Sequence, residues 1–203
     1  MTRNFEFSQG DLLSSLPSHR QFSSGGICAC LSAAWIQMMR KNKEEGYHHR
    51  KVELEKMIQG GGPITQKAYA KHWDSKDDVK TNNQLVVGLF GSRVEEWLQS
   101  GPGLDSLAKY LTGKVHKGIH FNFGMPQGSG AHAVAFWRSG GRLSGHYYFF
   151  DPNFGEYKGS PKEVSGWFVR FIGEKYGPPS NVPWWYLLVL TEAAIVKGGW
   201  SYV

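Results

Sequence analysis

A chain of 203 residues, 40 % hydrophobic and 14 % aromatic, can bury a sizeable core without staples, and 26 glycines favour many turns over a helical bundle. Its two cysteines, spaced Cys28-x-Cys30, exclude a disulfide framework and a four-cysteine zinc site, so the protein is expected to work reduced, with no metal and no cofactor. The net charge of +6 and pI near 9.3 would suit an acidic partner, but the basic residues are scattered and the aromatic-plus-basic sheet pattern of RNA readers is missing, so no nucleic-acid partner is expected.

The chain opens without the apolar region of a secretory signal, Thr2 stands where myristoylation needs glycine, and no segment approaches the ~18 apolar residues of a membrane span. Residues 1–22 read as an irregular arm packing Phe5, Phe7, Leu12, Leu13 and Leu16 onto a single domain of residues 23–203. Within Ser23-Ser24-Gly25-Gly26-Ile27-Cys28, a glycine pair that leaves room for a substrate backbone runs into a helix whose Leu31, Ala34, Trp35, Met38 and Met39 recur at helical intervals. The partly positive N-terminus of a helix eases ionisation of a thiol in its first turn, which makes Cys28 a candidate nucleophile. Gln21, Ser23 and Gly26 lie where polar or small groups could help the backbone N–H of Cys28 bind an oxyanion or a substrate. A lone cysteine is more often a small buried hydrophobe, however, and its position alone does not decide between the two roles.

This first helix is expected to fade near Lys43, with a turn at 44–49 and a second helix over Val52–Gln59 that stops at Gly60-Gly61-Gly62-Pro63. The basic runs Arg40-Lys41-Asn42-Lys43 and His48-His49-Arg50-Lys51 read as solvated helix ends. Ile64–His72 and Ser92–Leu98 are read as helices, the latter from a capping box of Ser92 and Glu95, and Leu104–Leu111 as a short amphipathic piece. After Gly118 the pattern turns to sheet, with aromatic and β-branched runs at Ile119–Phe123, Ala131–Trp137, His146–Phe150 and Trp185–Leu190. One helix interrupts it, signalled by Ser160-Pro161-Lys162-Glu163 and by buried-face residues Val164, Trp167, Phe168 and Phe171. The expected class is α+β, a helical N-terminal half packed on an antiparallel sheet.

The runs Ala131–Trp137 and His146–Phe150 read as a hairpin in which Trp137 pairs with His146, which sets His132 opposite Asp151 on one face. An aspartate on one ring nitrogen fixes the histidine tautomer and leaves the other nitrogen for a thiol. The alternative is structural: Asp151-Pro152-Asn153 is also ordinary strand-ending chemistry, and a slip of one residue would part the pair. His120 and His146 are second choices, lying in strands without an acid placed to orient them. His19, His48, His49, His72 and His116 sit in polar or arm contexts.

Three blocks in this order resemble the YopT-type cysteine proteases, the C58 peptidase family of bacterial effectors with a papain-like core: Gly26-Ile27-Cys28 leading into Leu31-Ser32-Ala33-Ala34-Trp35-Ile36, Gly130-Ala131-His132-Ala133-Val134, and Phe150-Asp151-Pro152-Asn153-Phe154-Gly155-Glu156-Tyr157. The resemblance spans most of residues 21–195. It implies Cys28 as nucleophile, His132 as general base and acid, and Asp151 as orienter. Cys30, two residues further along the helix and about 200° round it, would point away. The same resemblance implies hydrolysis of an amide bond in a protein or peptide substrate, with side-chain deamidation and peptidoglycan peptide hydrolysis as related chemistries and a non-catalytic interaction module as the remaining alternative. A secreted or injected effector is implied, acting in a reducing compartment of a target cell, or in the periplasm if it is a wall enzyme; one aimed at neighbouring bacteria would need an immunity or inhibitor protein. Only 27 residues precede Cys28, whereas effectors of this family often carry a longer leader, so delivery is expected to rely on another signal, a fused partner or a region outside this chain.

Overall fold

The computed structural model describes residues 1–17, 27–42, 46–60, 79–104, 106–107, 110–111, 118–127, 130–140 and 145–192. The expected helix at Ile64–His72 and the residues Gln21, Ser23 and Gly26 lie outside them, as do His19, His72 and His116. In chain order the elements are β1 (Thr2–Phe5), α1 (Gln9–Ser14), α2 (Cys28–Asn42), α3 (Tyr47–Gly60), α4 (Val79–Leu89), β2 (Ser92–Ser100), β3 (Gly118–Gly124), β4 (Ala131–Arg138), β5 (Tyr147–Asp151), β6 (Gly155–Gly159), α5 (Val164–Lys175) and β7 (Trp185–Glu192). The strands form one antiparallel sheet in the order β1-β6-β5-β4-β3-β7-β2.

Strands β3, β4 and β5 are buried along nearly their whole length, because the sheet is covered on both faces and alternate side chains feed two cores. Ala133, Ala135, Trp137, Tyr148 and Phe150 face the core built on α2, α3 and α4. Phe121, Phe123, Val134, Phe136, Tyr147 and Phe149 face the opposite core, capped by Val164, Phe168, Phe171 and Ile172 of α5. Helix α2 is central to the first core: Leu31, Trp35 and Ile36 are fully buried, and the Trp35 ring stacks on Phe150 with centroids 5.7 Å apart.

Several expectations need correction. The arm is not irregular: Thr2–Phe5 is an edge strand paired with β6, and Ser8 caps α1 by accepting from the Asp11 N–H. Phe5, Phe7 and Leu16 are buried in the α2-side core, with Leu12 and Leu13 packed against it. Ser92–Leu98 is strand, not helix: the Ser92 and Glu95 spacing fits a cap, but pairing with β7 overrides it, and a bulge makes the apolar spacing look helical as well. The register against β7 shifts between Val94 and Glu96, so Val94 and Trp97 both turn to the α2-side core while Leu98 faces the other. Those apolar residues fall three and four apart, which imitates a helical stripe. At Ser160 the local bonds form, with Ser160 N–H and Oγ–H donating to Glu163 Oε2 at 2.9 and 2.8 Å, but α5 begins only at Val164.

Arg50 overturns the reading of its basic run as a solvated end. Its guanidinium is buried and donates from Nε and Nη2 to both oxygens of Glu156, at 2.8 and 2.6 Å, while Trp35 Nε1 and Asn4 Nδ2 each donate to the same carboxylate at 2.7 Å. One buried anion thus joins β1, α2, α3 and β6, with its charge paired and its oxygens saturated, as a buried ion requires.

Candidate active site

Cys28 is the first residue of α2 and remains partly exposed, whereas Cys30 is buried among the core residues of that helix. Burial, and then the proximity of Cys28, push the Cys30 thiol well above its ordinary value. The start of α2 is fixed from several sides. Ile27 C=O accepts the first helical bond from Leu31 N–H at 3.0 Å, and Ile27 N–H donates to the Gln9 side-chain oxygen at 2.9 Å. Ser32 Oγ–H donates to the Ala133 carbonyl at 3.0 Å, which ties α2 to β4. The His120 ring completes the seat: its Nε2–H donates to Ala29 C=O at 3.0 Å while Nδ1 accepts from Asn122 Nδ2 at 2.9 Å. Burial outweighs that backbone bond and drops the His120 ring to about 4, so it is neutral near pH 7.

His132 and Asp151 do meet, by a different register from the expected one. The hairpin pairs Arg138 with Tyr147 and Ala135 with Phe150, two residues off the Trp137–His146 alignment, and Ser139 N–H closes the loop on His146 C=O at 2.9 Å. An even offset keeps the side chains on the expected face, so His132 and Asp151 lie diagonally, with Nε2 donating to Asp151 Oδ1 at 3.0 Å. That face is the α5 side. The His132 ring lies 5.7 Å from the ring of Phe123 and 5.1 Å from that of Tyr176, both in the α5-side core. The β4–β5 pairing ends at Ala135–Phe150, and beyond it the Cys28 thiol, at the start of the helix on the other side of the sheet, lies near enough to the His132 ring to raise its pKa. With Nε2 on Asp151, Nδ1 is the nitrogen left for sulfur.

Asp151 is fully buried and both its oxygens are engaged: Oδ1 accepts from His132 and from Asn153 N–H at 2.8 Å, and Oδ2 accepts from the Tyr176 hydroxyl at 2.8 Å. Burial by itself pulls the His132 imidazolium down, but the charge and hydrogen bond of Asp151, followed by those of Cys28, outweigh it and lift the ring to about 10. Burial and the adjacent Asp151 charge push the Tyr176 phenol up, so it stays a neutral donor. The arrangement can take a proton from sulfur, hold it as a buried imidazolium, and hand it on.

The Peptidase_C58 family profile, described as Yersinia/Haemophilus virulence surface antigen, matches residues 2–180. The chain belongs to this family of cysteine peptidases. Among solved structures, the Pseudomonas avirulence protein AvrPphB matches with 18 % identity and a TM-score of 0.63 over 81 % of this chain and 91 % of that one. That likeness shows the papain-like cysteine protease fold. PatoxP, a cysteine protease-like domain of the Photorhabdus asymbiotica toxin PaTox, matches with 13 % identity and a TM-score of 0.48 over 92 % of this chain and 54 % of that one. No curated protein sequence matches the chain. The C58 match takes in Cys28, His132 and Asp151 together with the N-terminal β1 and α1.

Within this C58 chain the structure brings Cys28, His132 and Asp151 together, and turns His120 to support of α2. His146 lies in the hairpin loop, its N–H donating to Ser139 Oγ at 3.0 Å. Sequence reasoning did not pick out Gln9, Asn153 and Tyr176 as neighbours of the site. Asn153 was within reach as the residue two beyond Asp151, placed for an Asx turn. Nothing local marks Gln9 or Tyr176. Among the described residues no group of three or more His, Cys, Asp or Glu could hold a metal ion, and no helix is long and apolar enough to cross a membrane.

Proposed function

We propose that this C58 peptidase is an effector protease that hydrolyses an amide bond of a protein substrate through Cys28, His132 and Asp151. The observation that supports it is the 3.0 Å bond of His132 to a buried carboxylate, with a partly exposed thiol at a helix start near enough to raise the imidazole pKa. Cys28 sulfur, its proton held by His132, adds to the carbonyl carbon to give a tetrahedral oxyanion. Ile27 N–H is already taken by Gln9, and the N–H of Cys28, among the donors that the start of α2 leaves unpaired within the helix, serves that oxygen. The contributions of Gln21, Ser23 and Gly26 to the same pocket belong to this proposal. His132 then protonates the departing amine, the C–N bond breaks, and a thioester remains on Cys28. Water, losing its proton to His132, adds to the thioester; the acid leaves and the thiol is restored.

Mass spectrometry of cells expressing the wild-type chain against cells expressing Cys28→Ala tests the reading and names the bond. New chain termini that depend on Cys28 support it. Conversion of a Gln or Asn side chain to the acid in an uncut protein would replace it with deamidation, and released muropeptides would replace it with wall hydrolysis. A Cys28→Ala profile identical to wild type would leave the fold as a non-catalytic module.

A further inference from the structure

A single line of hydrogen bonds connects the peptide before Cys28 to the carboxylate behind His132. Ile27 N–H donates to Gln9 Oε1 at 2.9 Å; Gln9 Nε2 donates to Asn153 Oδ1 at 2.7 Å; Asn153 Nδ2 donates to the Tyr176 oxygen at 3.2 Å; and Tyr176 O–H donates to Asp151 Oδ2 at 2.8 Å. The Gln9 N–H also donates to Pro152 C=O at 2.8 Å, so the same residue is pinned by its backbone to the turn after Asp151. Gln9 is only 5 % exposed, too buried for water to substitute easily for either amide bond.

The line has one possible sense. A backbone N–H can only donate and a carboxylate can only accept, so each amide between them is fixed in orientation. Ile27 cannot cap α2 with its own side chain, and Gln9 supplies the acceptor from 18 residues upstream. Since Ile27 C=O is held by Leu31, binding its N–H as well fixes both peptides that lead to the Cys28 Cα. Sulfur and imidazole come from opposite sides of the sheet; Ser32 and His120 tie α2 to the strands β4 and β3, but neither bond reaches the Asp151 turn, where the pairing of β4 with β5 has ended. The bridge through Gln9 adds that tie, from the peptide before Cys28 to the turn that holds Asp151.

We propose that Gln9 is a positioning residue of the active site, whose amide sets the Cys28 end of α2 against the Asp151–His132 pair through Asn153 and Tyr176. The proposal rests on the catalytic reading of Cys28, His132 and Asp151. Two substitutions separate alignment from packing. Gln9→Met keeps volume and removes both amide bonds. Gln9→Glu keeps the acceptor for Ile27, but a carboxylate cannot donate to Asn153. Asn153 then turns its Nδ2 to the new carboxylate and its Oδ1 to Tyr176, which draws the Tyr176 proton off Asp151. Protonated, the same side chain can donate and the line is restored; burial raises the pH at which this happens.

The test is the rate of alkylation of Cys28 by iodoacetamide, read on the Cys28 peptide by mass spectrometry across pH, well below the melting temperature of each variant. Gln9→Met should slow it roughly tenfold at every pH, the scale expected of a small misplacement of reacting groups. Gln9→Glu should match wild type at about pH 5 and fall roughly tenfold behind at about pH 8, a crossing that lost packing would not produce. Equal rates in wild type and Gln9→Glu across the range, whatever the change in melting temperature, would overturn the proposal. If Gln9→Met fails to fold, the pH-dependent ratio of Gln9→Glu decides alone. His132→Ala in the same series keeps the two readings apart. Wild type no faster than His132→Ala removes the catalytic reading and this one with it, while wild type faster than His132→Ala but equal to the Gln9 variants removes only the role of Gln9.

Discussion

His132 and Asp151 meet on the diagonal of the β4–β5 hairpin, two residues off the directly opposed pairing, and Asp151 receives three donors there. Asp151→Asn can preserve this geometry, because its oxygen can keep His132 and Asn153 N–H while its amide turns to the Tyr176 oxygen. What it loses is charge. Activity should fall roughly 10²- to 10⁴-fold, less than for Cys28→Ala. The His132 titration, followed by NMR, should drop from about 10 towards the ordinary range; an unmoved titration would refute the role given to Asp151.

The two cysteines should separate cleanly on labelling. In the native protein iodoacetamide should modify Cys28 and spare Cys30, which is buried with its thiol pushed up by burial and by Cys28. In denaturant both should react alike. Native labelling of Cys30 at the rate of Cys28 would contradict the packing of α2.

The ion pair of Arg50 and Glu156 carries a large stability effect. Glu156→Ala strips the carboxylate from a guanidinium that is 1 % exposed and from the Trp35 and Asn4 donors, and should cost about 3–5 kcal/mol. Urea denaturation measures it. A loss below about 1 kcal/mol, the scale of an exposed pair, would mean that the carboxylate is not buried as described.

Two histidines should shape the pH dependence of stability in opposite directions. His120 is depressed to about 4 by burial, so its contribution is complete above the unfolded value near 6.5 and is lost as the pH falls through about 4. His132 is raised to about 10, so its contribution is complete below about 6.5 and is lost as the pH rises through about 10. Melting temperatures should show it: His120→Gln should flatten the acid limb, and Asp151→Asn the alkaline limb. Limbs that stay parallel to wild type would disprove the assignment.

Gly155 follows the turn after Asp151 with φ of +105°, and a Cβ there would sit 2.0 Å from the Phe5 carbonyl oxygen. Gly155→Ala should cost at least about 1–3 kcal/mol and loosen β1, seen as faster amide exchange at Thr2–Phe5. Unchanged exchange there would show that β1 does not depend on this close approach.

What could be read locally was the material with strong periodicity: α2 over its apolar stripe, the apolar face of α5, and the buried runs β3, β4, β5 and β7. The contact of His132 with Asp151 was legible because residue type and order suggest it, and because a register error of two residues does not change the face. What failed was set at long range. Strand β2 imitates a helix through its bulge and becomes a strand only by pairing with β7. Strand β1 is too short to declare itself before it finds β6, and Arg50 looks solvated until Glu156 is placed beside it. Gln9 and Tyr176 carry no motif at all; their bearing on the site comes from side chains that sequence order keeps far apart.

The pairing of β1 with β6, and of Gln9 with Asn153 across 144 positions, has a consequence for biosynthesis. Contacts of such sequence separation form late, and a ribosome delivers the N-terminus first. A nascent chain ending before β4 already displays Cys28, yet lacks His132 to take its proton and the turn for Gln9 to grip. The proposed hydrolytic centre therefore matures only once translation has passed Tyr176, and a producing cell holds an inert thiol for most of the time the polypeptide is being made.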